Sequence, residues 1–231
     1  MRLTELFRLA GIVPDAIDGD AELNGLCADS RTLRTGEAFY PVPSPTGDSH
    51  RFIDGALARG ATALIVHSQA AFDAWKSQIP VGLVEAHRYE SVAWALAKAA
   101  YGEAIASLQL VGVTGTNGKT TVAWIVRDML EALDIPAAYL GTLGFEVAGE
   151  RRTLENTTPF AVDVYRLLAE ARERGAKAVA MEVSSHALAQ RRVRLLAREV
   201  PHARQQYAED RNAGKHGQDR KGRLHPRLRE R

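Results

Sequence analysis

A glycine-rich segment with the sequence Gly-Thr-Asn-Gly-Lys-Thr-Thr occupies residues 115–121. It lies between an apolar run typical of a strand and an amphipathic stretch typical of a helix. Glycines let the backbone curl so that several N–H groups point at phosphate oxygens, and the helix that follows adds its positive N-terminus. In such a loop Lys119 reaches the β- and γ-phosphates of a nucleotide, and the Thr120 hydroxyl is suited to hold Mg²⁺.

The tripeptide Gly-Lys-Thr can also fall by chance in an ordinary loop. Here strand, glycine-rich loop and helix follow in the order that a phosphate site needs, so the sequence predicts a nucleotide site with Lys119 as the catalytic residue. The predicted ATP-binding residues are Gly115, Thr116, Asn117, Gly118, Lys119, Thr120 and Thr121.

A second polar segment, Glu-Val-Ser-Ser-His at 182–186, follows directly on an apolar run. Ligands of open parallel sheets bind at the carboxyl ends of the strands. Glu182 offers hard oxygen ligands of the kind that Mg²⁺ prefers. A lone Glu or His is more often an ordinary surface or core residue, but its position at a strand end favours a metal ligand, so Thr120 and Glu182 are the predicted metal ligands.

The elements around these residues alternate between strand and helix patterns. Residues 108–113 form an apolar, β-branched run that predicts a buried parallel strand. Apolar residues at helical spacing predict helices over 121–133 and 160–174, and strands are predicted over 136–140 and 177–183. The pattern indicates βαβ units and hence an α/β fold with a doubly wound parallel sheet.

A smaller α/β pattern precedes this unit. Apolar runs at 38–42, 61–66 and 81–84 predict strands, and stretches at 52–59 and 91–101 predict helices. We therefore expect a domain over 1–105, a partial ATP-binding domain over 106–193 and a basic tail over 194–231.

The phosphate loop departs from the common pattern, which asks for glycine at position 113, where this chain has valine. The string Gly-Thr-Asn-Gly-Lys-Thr-Thr resembles instead the variant loop of the Mur ligases and the related folylpolyglutamate synthetases. The string Glu-Val-Ser-Ser-His resembles the muramoyl-dipeptide branch of the Mur ligases. The resemblance implies ligation in which ATP phosphorylates a substrate carboxylate and an amine then attacks the acyl phosphate.

The resemblance also implies partners and contacts. The substrates would be UDP-N-acetylmuramoyl-L-alanyl-D-glutamate and a diamino acid, with meso-diaminopimelate preferred to lysine only because more bacteria use it. Asp-Ser-Arg at 29–31 and Gly-Glu-Ala-Phe-Tyr at 36–40 resemble the uridine-binding start of these enzymes. The substrate-binding residues carried over are Ser30, Asn156, Thr157, Thr158, Ser184, Gln190 and Arg192. Without the resemblance, 156–159 is a plausible turn and Gln190 and Arg192 an ordinary solvated helix end.

Composition excludes several other classes of protein. No apolar run is long enough to cross a membrane, and the amino terminus lacks the pattern of a secretion signal. The single cysteine, Cys27, has no cysteine partner, and no Cys/His cluster surrounds it. We therefore expect a cytoplasmic protein without a membrane partner.

Positive charge is concentrated at the end of the chain, because residues 194–231 carry 11 Lys and Arg against 5 Asp and Glu. Nucleic-acid binding is therefore expected only as non-specific contacts of this tail. The family resemblance stops near residue 193, inside the ATP-binding domain, so we expect a truncated ligase whose tail is either an out-of-frame translation or a disordered basic segment.

Three functions remain open at this level. The first is the muramoyl-dipeptide ligase, which in this truncated form would be inactive alone. The second is a non-catalytic remnant that binds only nucleotide or UDP-precursor. The third is a folylpolyglutamate synthetase-like ligase, which would lack both the front domain and the 182–186 string. A P-loop GTPase or kinase is weaker, because its standard loop spacing is missing.

Overall fold

The computed structural model describes residues 1–43, 48–189 and 193. Met1–Val193 form one compact unit. It is an α/β structure with two five-stranded sheets, of which the first is mainly parallel and the second has two parallel and two antiparallel strand pairs. The predicted α/β class is confirmed, whereas the predicted basic tail lies outside the described residues.

The first sheet has the strand order β1-β5-β4-β3-β2, parallel except between β1 and β5. Its apolar side chains form one core, which includes Phe39, Ile53 and Leu64. The elements of this part of the chain are α1 Leu3–Ala10, β1 Ala16–Asp18, β2 Gly25–Cys27, β3 Glu37–Phe39, a 3₁₀ helix Ser49–Phe52, α2 Ile53–Ala58, β4 Ala63–Val66, α3 Gln69–Trp75, β5 Val81–Leu83 and α4 Ala86–Tyr101.

The second sheet has the strand order β6-β10-β7-β8-β9. Strand β10 is central and pairs in parallel with β6 and β7, while β8 and β9 add an antiparallel hairpin that the sequence did not predict. The elements are β6 Gln109–Val113, α5 Lys119–Ala132, β7 Ala137–Gly141, β8 Gly144–Val147, β9 Glu150–Arg152, α6 Ala161–Glu173, β10 Ala178–Glu182 and α7 Ser185–Ala189.

The parallel strand expected over 108–113 is present as β6, but the expectation that it is buried is wrong. Strand β6 lies at the edge of its sheet and, within the described residues, pairs with β10 alone. Gln109 and Gly112 are exposed and the three other residues only partly buried. A continuous apolar run could not distinguish an edge strand from a central one, because its other neighbours are set by tertiary packing.

The predicted apolar stripe on α5 also faces outward. Four of its five residues are 48–68% exposed, namely Val122, Ile125, Met129 and Leu133, and the fifth, Val126, is partly buried. The inward face of the helix is carried mainly by Ala123, which is fully buried. Among the residues that the structure describes, nothing covers this stripe, so α5 is held chiefly by its contacts with β7 and β10.

Helix α6 connects the two sheets. It belongs to the second sheet in sequence, and it packs against α4 and β2 of the first. Arg166 on α6 donates to Glu37 on β3 at 2.6 Å, and both side chains are buried. The two sheets are thus joined by a polar contact as well as by apolar packing. No described helix is long and apolar enough to cross a bilayer.

Candidate functional site

The predicted phosphate loop lies between β6 and α5. Gly118 caps the helix with φ 77°, and Gly115 has φ 146°, both in the region that favours glycine. Residues 114–118 are exposed, and the first N–H groups of a helix have no partner inside the helix. Lys119 begins α5, and its Nζ donates to the Gly115 carbonyl at 2.8 Å. The lysine therefore closes the loop on itself.

Thr120 and Glu182 come together at the carboxyl edge of the second sheet. Parallel pairing sets Glu182 opposite Val113, the last residue of β6. The Thr120 Oγ1 donates to Glu182 Oε2 at 3.1 Å. Mg–O bonds of about 2.1 Å in an octahedron separate neighbouring ligand oxygens by about 3 Å. The two oxygens therefore fit as adjacent Mg²⁺ ligands.

Two residues that the sequence did not predict complete the surroundings of this carboxylate. Glu182 Oε1 accepts from the Tyr139 hydroxyl and, at 2.8 Å, from the Thr142 N–H. The Thr142 hydroxyl donates to Glu182 Oε2 at 3.1 Å. Burial of Tyr139 and its hydrogen bond with Glu182 raise the pKa of the tyrosine hydroxyl, so the hydroxyl stays protonated and donates. Four donors thus fix a buried carboxylate whose side chain is aimed at the phosphate loop.

Because Gly141 has no side chain, the Glu182 carboxylate and the Tyr139 hydroxyl can lie close to its backbone. A Cβ built at Gly141 would overlap both Glu182 Oε1 and the Tyr139 hydroxyl. The position therefore has no room for a side chain unless the carboxylate moves. The Gly-Thr pair at the end of strand β7, at the same sheet edge as Glu182, is the sequence signal that could have indicated Thr142.

The predicted loop at 156–158 is attached to the same carboxylate residue. The Thr158 hydroxyl donates to the Glu182 carbonyl at 3.0 Å and accepts from the Ser184 N–H at 3.2 Å. Thr157 Oγ1 lies 3.1 Å from Thr142 Oγ1. Asn156 is exposed. The structure therefore brings the predicted metal ligands and the predicted substrate loop into one hydrogen-bonded group.

Ser30 lies in a turn that follows β2 of the first sheet. Its neighbour Arg31 pairs with Asp29 at 2.7 Å and with Glu155, the residue before Asn156. On the other side, Asp163 of α6 accepts from the Ala28 N–H at 3.0 Å. Burial raises the pKa of Asp163 to about 6. The turn that carries Ser30 is thus tied to the 156–158 loop and to α6.

One further predicted contact, Ser184, lies at α7. Ser184 precedes this short helix, and its Oγ accepts from the Ala187 N–H at 3.1 Å, so it acts as a helix cap. Gln190 and Arg192 lie outside the described residues. Their predicted roles, like those of Ser30 and Asn156, stay predictions.

One further group of described side chains has metal-ligating chemistry, namely Asp48, His50 and His67. His50 accepts from the His67 N–H through Nε2 at 3.3 Å, so its proton is on Nδ1, which donates to Asp48 at 2.6 Å. Burial lowers the pKa of His67 to about 4, and its Nε2 lies 3.1 Å from Ser49 Oγ. Because neither nitrogen of His50 keeps a lone pair for a cation, the group is explained as a local cap of the 3₁₀ helix.

The profile of the Mur ligase middle domain matches residues 113–200. Two curated relatives carry the name UDP-N-acetylmuramoyl-L-alanyl-D-glutamate–2,6-diaminopimelate ligase. That of Geobacter sulfurreducens is 38% identical over 198 residues, which cover 84% of this chain and 37% of the relative. That of Synechococcus elongatus is 41% identical over 175 residues, covering 75% of this chain and 35% of the relative.

A solved structure described as UDP-N-acetylmuramoyl-L-alanyl-D-glutamate–2,6-diaminopimelate ligase superimposes with a TM-score of 0.55. It is 26% identical, and the match covers 74% of this chain and 34% of the other. The chain thus spans little more than a third of the length of the proteins that it matches. With the phosphate loop, the strand-end Glu182 and these relatives together, the chain belongs to the Mur ligase family and corresponds to its amino-terminal portion.

Proposed function

We propose that this chain is the amino-terminal part of an ATP-dependent ligase that joins a diamino acid to UDP-N-acetylmuramoyl-L-alanyl-D-glutamate in peptidoglycan synthesis. The observation that carries the proposal is the joining of Thr120, Glu182 and the 156–158 loop at one edge of the second sheet. A phosphate loop, a cation site and a substrate loop in contact are what phosphoryl transfer to a bound carboxylate requires.

Different residues of the chain would bind the phosphates of the nucleotide, stabilise the charge on the transferred group and bind Mg²⁺. The loop N–H groups and the N-terminus of α5 hold phosphate oxygens, and Lys119 leaves the Gly115 carbonyl to stabilise charge on the transferred phosphoryl group. Thr120 and Glu182 hold Mg²⁺, which neutralises phosphate charge when bound. Tyr139 and Thr142 keep the Glu182 carboxylate oriented.

The substrate contacts are proposed from the family resemblance and from position. The turn carrying Ser30 would hold the uridine end, and the 156–158 loop would hold the muramoyl end nearer the phosphates. Ser184, Gln190 and Arg192 are proposed as further contacts. We take 2,6-diaminopimelate as the amino acid because the curated relatives carry it in their names. Its meso form is proposed only because more bacteria use it. These names also favour the muramoyl ligase over a folylpolyglutamate synthetase.

The division into a UDP-precursor-binding domain over 1–105 and a partial ATP-binding domain over 106–193 is likewise proposed, on the support of two separate sheets. The nucleotide substrates support action in the cytoplasm. A second candidate function is ligand binding without turnover, which the coverage of only 37% of the Geobacter relative favours.

Calorimetric titration of the purified chain with Mg-ATP, and separately with UDP-N-acetylmuramoyl-L-alanyl-D-glutamate, tests the proposal. We expect both to bind. Lys119→Met should weaken Mg-ATP binding by about 10- to 100-fold, because a charge-assisted contact contributes about 1.5–3 kcal/mol. Lys98→Met, at an exposed position on α4, is the matched control and should bind as the wild type does.

Phosphate release in the presence of diaminopimelate separates the two candidates. Binding without release supports the binding-only function for the 231-residue chain. Release that depends on diaminopimelate supports the ligase. Failure of the wild-type chain to bind either ligand would contradict both.

A further inference from the structure

Thr142 occupies a position between the two halves of the proposed site. It lies directly after β7, and its N–H is fixed to Glu182 Oε1 at 2.8 Å. Its hydroxyl reaches in two directions, to Glu182 Oε2 at 3.1 Å and to Thr157 Oγ1 at 3.1 Å. The Thr142 side chain therefore touches both the proposed metal carboxylate and the proposed substrate loop.

The direction of these hydrogen bonds follows from counting protons. A threonine hydroxyl has one proton to donate, and an ionised carboxylate can only accept. The Thr142 proton must therefore be directed to Glu182. It follows that Thr157 donates its own proton to Thr142 Oγ1 and has none left for a ligand.

Engagement of Glu182 Oε2 by a cation would change this arrangement. The same oxygen accepts from both Thr120 and Thr142, so a cation held there competes with both hydroxyls. The Thr142 N–H keeps the residue in place while its hydroxyl rotates. The Thr142 hydroxyl can then donate to Thr157 Oγ1, which lies 3.1 Å away, and the Thr157 hydroxyl becomes free to donate to a ligand.

We propose that Thr142 is a positioning residue that couples cation binding at Glu182 to binding of the UDP-precursor at the 156–158 loop, by reversing the hydrogen bond between Thr142 and Thr157. The inference rests on the proposed function and adds to it a route for communication between its two sites. The reversal moves one proton in each hydroxyl by rotation about the C–O bond, without breaking a covalent bond. Coupling of this kind between sites is reciprocal.

The test is the affinity of the chain for UDP-N-acetylmuramoyl-L-alanyl-D-glutamate measured by calorimetry with ADP present, with and without Mg²⁺. For the wild type we expect Mg²⁺ to raise this affinity by about 5-fold or more, the lower end of ordinary coupling between sites. Thr142→Val has nearly the same shape but no hydroxyl, so its ratio of affinities should fall to about one. Thr142→Ser restores the hydroxyl and should restore the ratio.

Two further variants locate the effect. Glu182→Gln should remove it, which distinguishes a cation at Glu182 from Mg²⁺ bound to the pyrophosphate of the ligand. Thr153→Val, at an exposed position beyond β9, is the matched control and should keep the wild-type ratio. A merely structural role for Thr142 would weaken both affinities together and leave their ratio unchanged.

The outcomes separate this inference from the proposed function. Binding of the precursor by the wild type with equal affinity in both conditions, or an unchanged ratio in Thr142→Val, would overturn the coupling alone. Absence of any binding by the wild type would overturn the proposed function and the coupling with it.

Discussion

Arg166 Nε on α6 donates to Glu37 Oε1 on β3 at 2.6 Å, and the two side chains are only 5% and 6% exposed. Glu37 also accepts from the Arg34 N–H at 2.7 Å, and Arg166 donates to the Thr32 carbonyl at 2.7 Å. The pair is thus a buried ionic contact between α6 and β3 in which each partner makes one further hydrogen bond.

Removing either partner of the Arg166–Glu37 pair should lower the free energy of unfolding. Arg166→Met leaves the Glu37 carboxylate buried without its cation, and we expect a loss of about 3–5 kcal/mol in the free energy of unfolding. Adding Glu37→Gln keeps the acceptor for Arg34 and removes the unpaired charge, so the double variant should be less destabilised than the sum of the single variants. Urea denaturation of the four proteins measures this, and simple additivity would contradict the argument.

Gly141 provides a test of the crowded carboxylate. In Gly141→Ala the new methyl group overlaps Glu182 Oε1, so the carboxylate must shift and its distance to Thr120 must change. We expect Mg-ATP affinity to fall by about tenfold or more, the effect of losing a charge-assisted contact. Gly55→Ala, in helix α2 with open space at its Cβ, is the control and should preserve binding. Equal binding by both variants would show that Glu182 is not held as described.

Asp163 predicts a specific dependence of stability on pH. Burial raises the pKa of Asp163 from its ordinary value of 3.8 to about 6, so the folded state binds more protons than the unfolded state between these values. Stability from this group is therefore greatest below about pH 4, falls as the pH rises to 6 and is constant above.

Asp163→Asn keeps an acceptor for the Ala28 N–H and removes the titration. The wild type should lose stability relative to this variant by at most about 3 kcal/mol between pH 4 and 7, because each pKa unit corresponds to about 1.4 kcal/mol. Urea unfolding at several pH values gives the difference. A difference that does not vary with pH would show that Asp163 titrates normally.

The exposed stripe of α5 should tolerate polar residues. Ile125 is 50% exposed, so Ile125→Gln should change the free energy of unfolding by less than about 0.5 kcal/mol. Leu168 on α6 is fully buried, and Leu168→Ala should cost about 2–5 kcal/mol. Thermal or urea unfolding compares the two. A large loss in Ile125→Gln would mean that the stripe is covered in solution.

The sequence predicted the positions of those site residues that belong to a continuous motif. The phosphate loop and Glu182 each lie beside an apolar run, so their place at the carboxyl edge of the sheet followed from chain order. Tyr139 and Thr142 could not be found in this way. Their contacts with Glu182 depend on strand β10 lying next to β7, which is a pairing between segments about 40 residues apart.

Short strands and tight turns also could not be predicted from the periodicity of apolar residues. Strands β1 and β2 have only three residues each, too few for a period to be detected. The β8–β9 hairpin turns through Ala148 and Gly149, both with positive φ. Alanine is an unusual residue for such a turn, so the usual sequence signal for a two-residue hairpin was absent.

Helix α5 begins at the phosphate loop, and its outward stripe has no neighbour among the residues that the structure describes. Segments with few apolar contacts open locally at low free energy, and their amide hydrogens exchange quickly. A ligand held by the first turn adds its binding energy to the closed form of the whole helix. The amide exchange rate near Met129, three turns away, should therefore fall when a ligand is bound at the loop that ends at Gly118.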